Sequence, residues 1–172
     1  MKINVYSYHN AIENLSDHKK NWISVRDLGY SNVYSGLDDN AENILELYFD
    51  DVTEQDIKTN TLHPFYQRAY MKRGLICFDD DMAKKIIEFS KDVFEKNEEL
   101  NIHCWAGRSR SQAIGFCLNV YFNMFKQKNE IDYLRNIKYN MENFIGNYDV
   151  IRIMTNNLYP KHIALYSNLR LF

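Results

Sequence analysis

Glycine and proline are scarce in this chain of 172 residues, six and two respectively. So few chain breakers leave little room for a flexible linker, and we expect a single domain over residues 1–172, large enough to bury a continuous core. Also missing is any run near the ~20 apolar residues of a membrane span, and the polar opening MKINVYSYHN lacks a signal peptide's apolar segment. A cytoplasmic location is the expectation. Neither sign of charge is in excess: 21 Lys and Arg against 23 Asp and Glu leave a net charge of −2. That excludes global attraction to nucleic acid or anionic membranes, so an anionic ligand needs a locally positive pocket. Cysteine occurs three times. Cys77, Cys104 and Cys117 are odd in number and lack the paired short spacing of a zinc site, so reduced thiols are expected. His9, His18, His63 and His162 are too scattered to form a metal site. Internal repeats and low-complexity tracts are absent.

What is present alternates. KINVYS (2–7), NWISVRD (21–27) and ILELYF (44–49) have the period-two patterning of strands, and LNIHC (100–104) is a short buried one. HNAIENLS is a short helix candidate. Asp79 to Asp81 open a helix whose apolar stripe is Met82, Ile86, Phe89 and Val93, with acid suited to the helix N-terminus. SQAIGFCLNVYFNMFKQ, from 111, is apolar over most of a helical circumference and belongs in the centre. Residues 130–145, 148–158 and 160–168 are further helix candidates. From 50 to about 75 periodicity is lost, which reads as a long loop of the kind that carries function. This order predicts an α/β fold: a central, mostly parallel sheet flanked by helices, with a helical C-terminal half.

The stretch NIHCWAGRSRS (101–111) joins the last strand to the buried helix. Ligands of open α/β sheets bind at the carboxyl ends of strands, and a helix N-terminus offers unpaired N–H groups and partial positive charge. Gly107 lets the loop turn its amides inward as a ring of donors for a tetrahedral oxyanion. Arg110 adds a planar fork matching two phosphate oxygens. Cys104 begins this ring, where positive potential favours thiolate over thiol.

HCWAGRSRS resembles the His-Cys-x5-Arg-Ser/Thr phosphate-binding loop of the cysteine-dependent protein tyrosine phosphatases, and Ser109 before the arginine is more like the dual-specificity branch than the classical one. The wider pattern, LELYFDD, a helix, LNIHCWAGRSRSQA and NYDVIRIMTNNLY, is similar to compact predicted tyrosine phosphatases of bacteria and their phages. The likeness is sharp over residues 44–56 and 98–118. It implies a dual-specificity phosphatase-like fold and a phosphocysteine intermediate on Cys104. Arg110 and the amides of Trp105, Ala106, Gly107, Arg108, Ser109 and Arg110 would hold the phosphate. Ser111 would hydrogen-bond the thiolate, and His103 would orient the loop without touching substrate. No metal or cofactor is implied.

The family pattern also calls for an aspartate as general acid on an upstream loop. Asp79 to Asp81 already serve as cap and dipole complement, and lie too near the cysteine. Asp50 and Asp51 end the LELYF strand before the long loop; Asp51 is favoured by similarity, with Asp50 the alternative. The expected partner is a phosphorylated protein or peptide, with no nucleic acid. A phosphoinositide or RNA 5′-phosphate substrate is the alternative, for which Arg108 would contact a second anionic group. A non-catalytic phospho-binding module is a third reading, disfavoured because Cys104 and Arg110 are both retained. Trp105 is read as a pocket wall, Cys117 as core, QRAYMKRG (67–74) as a solvated loop face, and Arg152 as one half of an ordinary salt bridge.

Overall fold

The computed structural model describes residues 1–14, 20–28, 41–124 and 146–158. Strands β1 (Ile3–Ser7), β2 (Asn21–Arg26), β3 (Asn43–Tyr48) and β4 (Leu100–Cys104) form one sheet in the order β1-β4-β2-β3, every pair parallel. Helices α1 (Tyr8–Asn14), α2 (Glu54–Lys58), α3 (Pro64–Arg73), α4 (Asp80–Glu95), α5 (Arg110–Asn119) and α6 (Tyr148–Leu158) flank it. The expected α/β architecture is observed. Of the C-terminal helix candidates, 148–158 coincides with α6, while 130–145 and 160–168 lie outside the described residues.

β2 and β4 are buried along their whole length. Alternation sends Ile23, Val25, Leu100, Ile102 and Cys104 to a large core shared with Ile86 and Val93 of α4, Ile114 and Leu118 of α5, and Ile151 and Met154 of α6. The other face is thinner: Trp22 packs on Ala11 and Tyr6, while Ser24, Arg26 and His103 are polar and buried. Helix α5 lies close against β1 at Gly115, where a Cβ would sit 2.7 Å from Val5 Cγ2. Asp79 caps α4, accepting from the Met82 amide at 2.8 Å.

Two expectations need correction. The stretch 50–75 is not a long loop, since it contains α2 and α3. Neither helix buries a residue fully, so no apolar stripe marked them. Their signals are local instead: the capping box of Thr53 and Asp56, and Pro64 at the first turn of α3 after the His63 cap. The solvated face of 67–74 is therefore helical, with Met71 78% exposed. The helix from 111 is not uniformly α-helical either. It passes into a π-helical turn at Val120–Met124, and residues 125–127 lie outside the described residues. No helix among the described residues is long and apolar enough to cross a membrane.

Candidate active site

In a parallel sheet all carboxyl ends share one edge. Here Asp27 follows β2, Asp50 and Asp51 lie just beyond β3, and Cys104 ends β4. A cavity of about 490 Å³ opens at this edge, lined by Cys104, Trp105, Ala106, Arg108, Ser109 and Arg110 of the loop and by Asp27, Asp51, His63, Phe65 and Tyr66 opposite. Cys104 and Arg110 lie deepest, 1% and 3% exposed.

The loop's shape is set by its backbone. Gly107 has φ +67°, and a Cβ there would fall 2.5 Å from Ser7 N and 2.7 Å from Tyr6 C, so both conformation and contact require glycine. The Tyr8 amide donates to Trp105 O at 3.1 Å, tying the loop to the end of β1, and Gln112 Nε2 donates to Gly107 O at 3.1 Å. The Trp105 ring stacks on Tyr8, 5.9 Å between centroids, as one wall of the cavity. Ser111, buried in the first turn of α5, places Oγ 3.1 Å from Cys104 Sγ.

Arg110 is held from two strand ends. Its Nη1 and Nη2 donate to the two Asp27 carboxylate oxygens at 2.9 and 3.2 Å, and Nη1 also donates to Phe49 O at 2.7 Å. Burial works against the charge, but Asp27, Asp51 and Cys104 hold the guanidinium above its ordinary pKa. Its Nε is buried and has no hydrogen-bond partner among the described residues. A buried donor without an acceptor is costly, and a phosphate oxygen in the cavity would satisfy it.

His103 points to the opposite face of β4, fully buried, with Nε2 2.7 Å from Ser24 Oγ. That hydroxyl accepts from Arg26 Nε at 2.8 Å. Burial first, and then the cations Arg26 and Arg110, push the imidazole down to a pKa of about 3, so it is neutral at physiological pH.

The two adjacent aspartates part company. Asp50 is fully buried and paired bidentately with Arg73 at 2.7 and 3.0 Å, and it accepts from the Ile76 amide at 3.0 Å. It latches the end of α3 to β3 and does not line the cavity. Asp51 does line it, accepting on Oδ1 from Ser109 Oγ at 2.7 Å and from Asn147 Nδ2 at 3.2 Å. Tyr66, whose hydroxyl is bonded by the Asp51 backbone, has its pKa raised by burial and by Asp27.

The structure thus gathers Cys104, Trp105, Ala106, Arg108, Ser109, Arg110 and Asp51 around one cavity, with Gly107, Ser111 and His103 supporting it from behind. Asp27, Phe65, Tyr66 and Asn147 escaped the sequence analysis. Of these only Asp27 carried a signal, as an acid directly after a strand of a parallel sheet. Cys117 is core, its thiol pushed up to about 12 by burial, and Arg152 pairs with Asp149 at 3.1 Å. All three cysteines are free thiols. No group of three or more candidate metal ligands occurs among the described residues.

No protein-family model matches the chain, and no curated protein matches it in sequence. Solved structures do. Tk-PTP in the active form superposes with a TM-score of 0.52 at 10% identity, covering 91% of this chain and 89% of that one. PTPMT1 in complex with PI(5)P gives 0.53 at 10% identity, covering 92% and 91%. At this identity the likeness is one of architecture: the chain has the fold of these two structures.

Proposed function

We propose that this protein is a cysteine-dependent phosphatase that hydrolyses phosphate monoesters, phosphotyrosine in protein or peptide foremost, through a cysteinyl-phosphate intermediate. One observation carries the reading: Cys104 and Arg110, whose buried Nε has no hydrogen-bond partner among the described residues, line one cavity.

Cys104 attacks phosphorus, forming the S–P bond while the P–O bond to the leaving group breaks. The equatorial oxygens rest on Arg110 and on the amides of the loop. Asp51 gives its proton to the leaving oxygen and, as carboxylate, then takes one from the water that attacks the S–P bond. Phosphate leaves, and Ser111 stabilises the departing thiolate through its 3.1 Å contact. Asp27 keeps the guanidinium aimed by its two-point grip. Phe65, Tyr66 and Trp105 line the cavity, offering flat apolar walls suited to an aromatic ring.

The test is hydrolysis of a phosphotyrosyl peptide and an aryl phosphate in the presence of a chelator. Wild type should turn both over; Cys104→Ser should bind vanadate and release no phosphate. Vanadate binding without turnover in the wild type would instead mark a phospho-binding module.

A second reading, a phosphoinositide or a comparable polyanion, is favoured by Arg108. This residue lines the cavity, is exposed, and makes no ion pair with a described residue. On that reading Arg108→Ala loses activity on phosphoinositides while keeping it on phosphotyrosine.

A further inference from the structure

Asn147 is 96 residues from Asp51 in sequence and touches it in space. Only 4% exposed, it precedes α6, and its side-chain orientation is fixed by partners that have no choice of role. The Val150 amide can only donate, and it meets Asn147 Oδ1 at 3.2 Å. The Val52 carbonyl can only accept, and it meets Nδ2 at 3.4 Å. The group facing Asp51 is therefore the NH2, at 3.2 Å from Oδ1. Ser109 Oγ reaches the same oxygen at 2.7 Å. A carboxyl oxygen has two lone-pair directions in its plane, and two donors fill both.

We propose that Asn147, with Ser109, is a positioning residue that occupies Oδ1 of Asp51 and so reserves Oδ2 for the proton delivered to the leaving group. This rests on the reading of Asp51 as general acid and deepens it. An unrestrained carboxyl can carry its proton on either oxygen and rotate it away from the substrate; here one oxygen is committed from two sides. During the step the Oδ2–H bond breaks, the proton joins the leaving oxygen as its bond to phosphorus breaks, and the carboxylate that remains keeps both donors on Oδ1. Two charged or titratable groups that bear on Asp51 among the described residues are Arg110 from α5 and Tyr66 from α3. Neither competes with Asn147 for Oδ1 through a hydrogen bond of its own side chain. Ser109 couples the same oxygen to the phosphate loop, so the shape of the loop and the alignment of the acid are one arrangement.

The test uses Asn147→Ser and Asn147→Asp, both good helix caps that keep the start of α6 intact but cannot supply the NH2. kcat/KM is compared on a phosphotyrosyl peptide, whose leaving group needs a proton, and on an aryl phosphate with an activated leaving group that does not, with Asp51→Asn as reference. We expect kcat/KM, which reports formation of the phosphoenzyme, to fall about tenfold or more on the peptide and to stay within about twofold on the activated ester. An equal fall on both esters, the mark of mere structural damage, would overturn the proposal, as would unchanged turnover of the peptide. If Asp51→Asn distinguishes the two esters and the Asn147 variants do not, the positioning role alone fails. If Asp51→Asn does not distinguish them, the general-acid reading fails and takes this one with it.

Discussion

The phosphate loop and the rim that faces it supply opposite halves of one cavity and are held by different means. The loop, 104–110, is shaped by backbone: a left-handed glycine pressed on β1, a carbonyl tied to the Tyr8 amide, and the first turn of a buried helix. The rim, 50–78, is shaped by side chains reaching across the fold, with Asp50 on Arg73 and on the Ile76 amide, and Asn147 on Asp51. A backbone cradle tolerates loss of the side chains it presents. A rim built from latches does not, and adjacent rim residues therefore differ in what their loss costs.

The largest effect belongs to the loop. Cys104→Ser should lower turnover by on the order of 10⁴-fold or more while leaving the unfolding midpoint nearly unchanged, read by phosphate release and denaturant titration on the same preparation. Comparable loss of fold and activity would break the contrast. Asp51→Asn follows, with a loss in kcat/KM of roughly 10²- to 10³-fold on phosphotyrosine and a much smaller one on an activated aryl phosphate.

Next door, Asp50→Asn should behave as a stability variant. It strips the carboxylate from a buried pair whose arginine is only partly exposed, for a loss of about 3 kcal/mol by urea unfolding. Its effect on kcat should be small where the protein remains folded. A leaving-group effect in Asp50→Asn, absent from Asp51→Asn, would exchange the two roles.

The smallest effect is behind the loop. The folded state holds His103 with a pKa near 3, whereas the unfolded chain protonates at about 6.5. The unfolded state therefore binds the extra proton, and stability should decline as pH falls from about 6.5 towards 3, by at most about 1.4 kcal/mol per unit. Urea midpoints at pH 7 and pH 5 for wild type and His103→Asn measure this. An identical pH dependence in both proteins would remove His103 from it.

How much of this was readable in the sequence follows the same divide. The loop's constraints act over a few residues, so His103, Cys104, Gly107, Arg110 and Ser111 declare themselves by spacing, and the alternating strands declare the sheet. The rim's constraints act over long separations. Nothing in FDD distinguishes Asp50 from Asp51, because the difference lies in Arg73 and Asn147, 23 and 96 residues away. Helices α2 and α3 escaped a reading by apolar periodicity because they bury no residue. Asp27 escaped for want of a motif around it, although its place after β2 opposite Arg110 gives the arginine its aim.

The most direct measurement is to capture the intermediate. Asp51→Asn turning over an activated aryl phosphate lacks the base for the second step, so the phosphoenzyme should accumulate. Acid quenching followed by peptide mapping should then find the phosphate on Cys104, and none in a Cys104→Ser control. Continued turnover with no adduct on Cys104, or an adduct on another residue, would contradict a cysteinyl-phosphate mechanism.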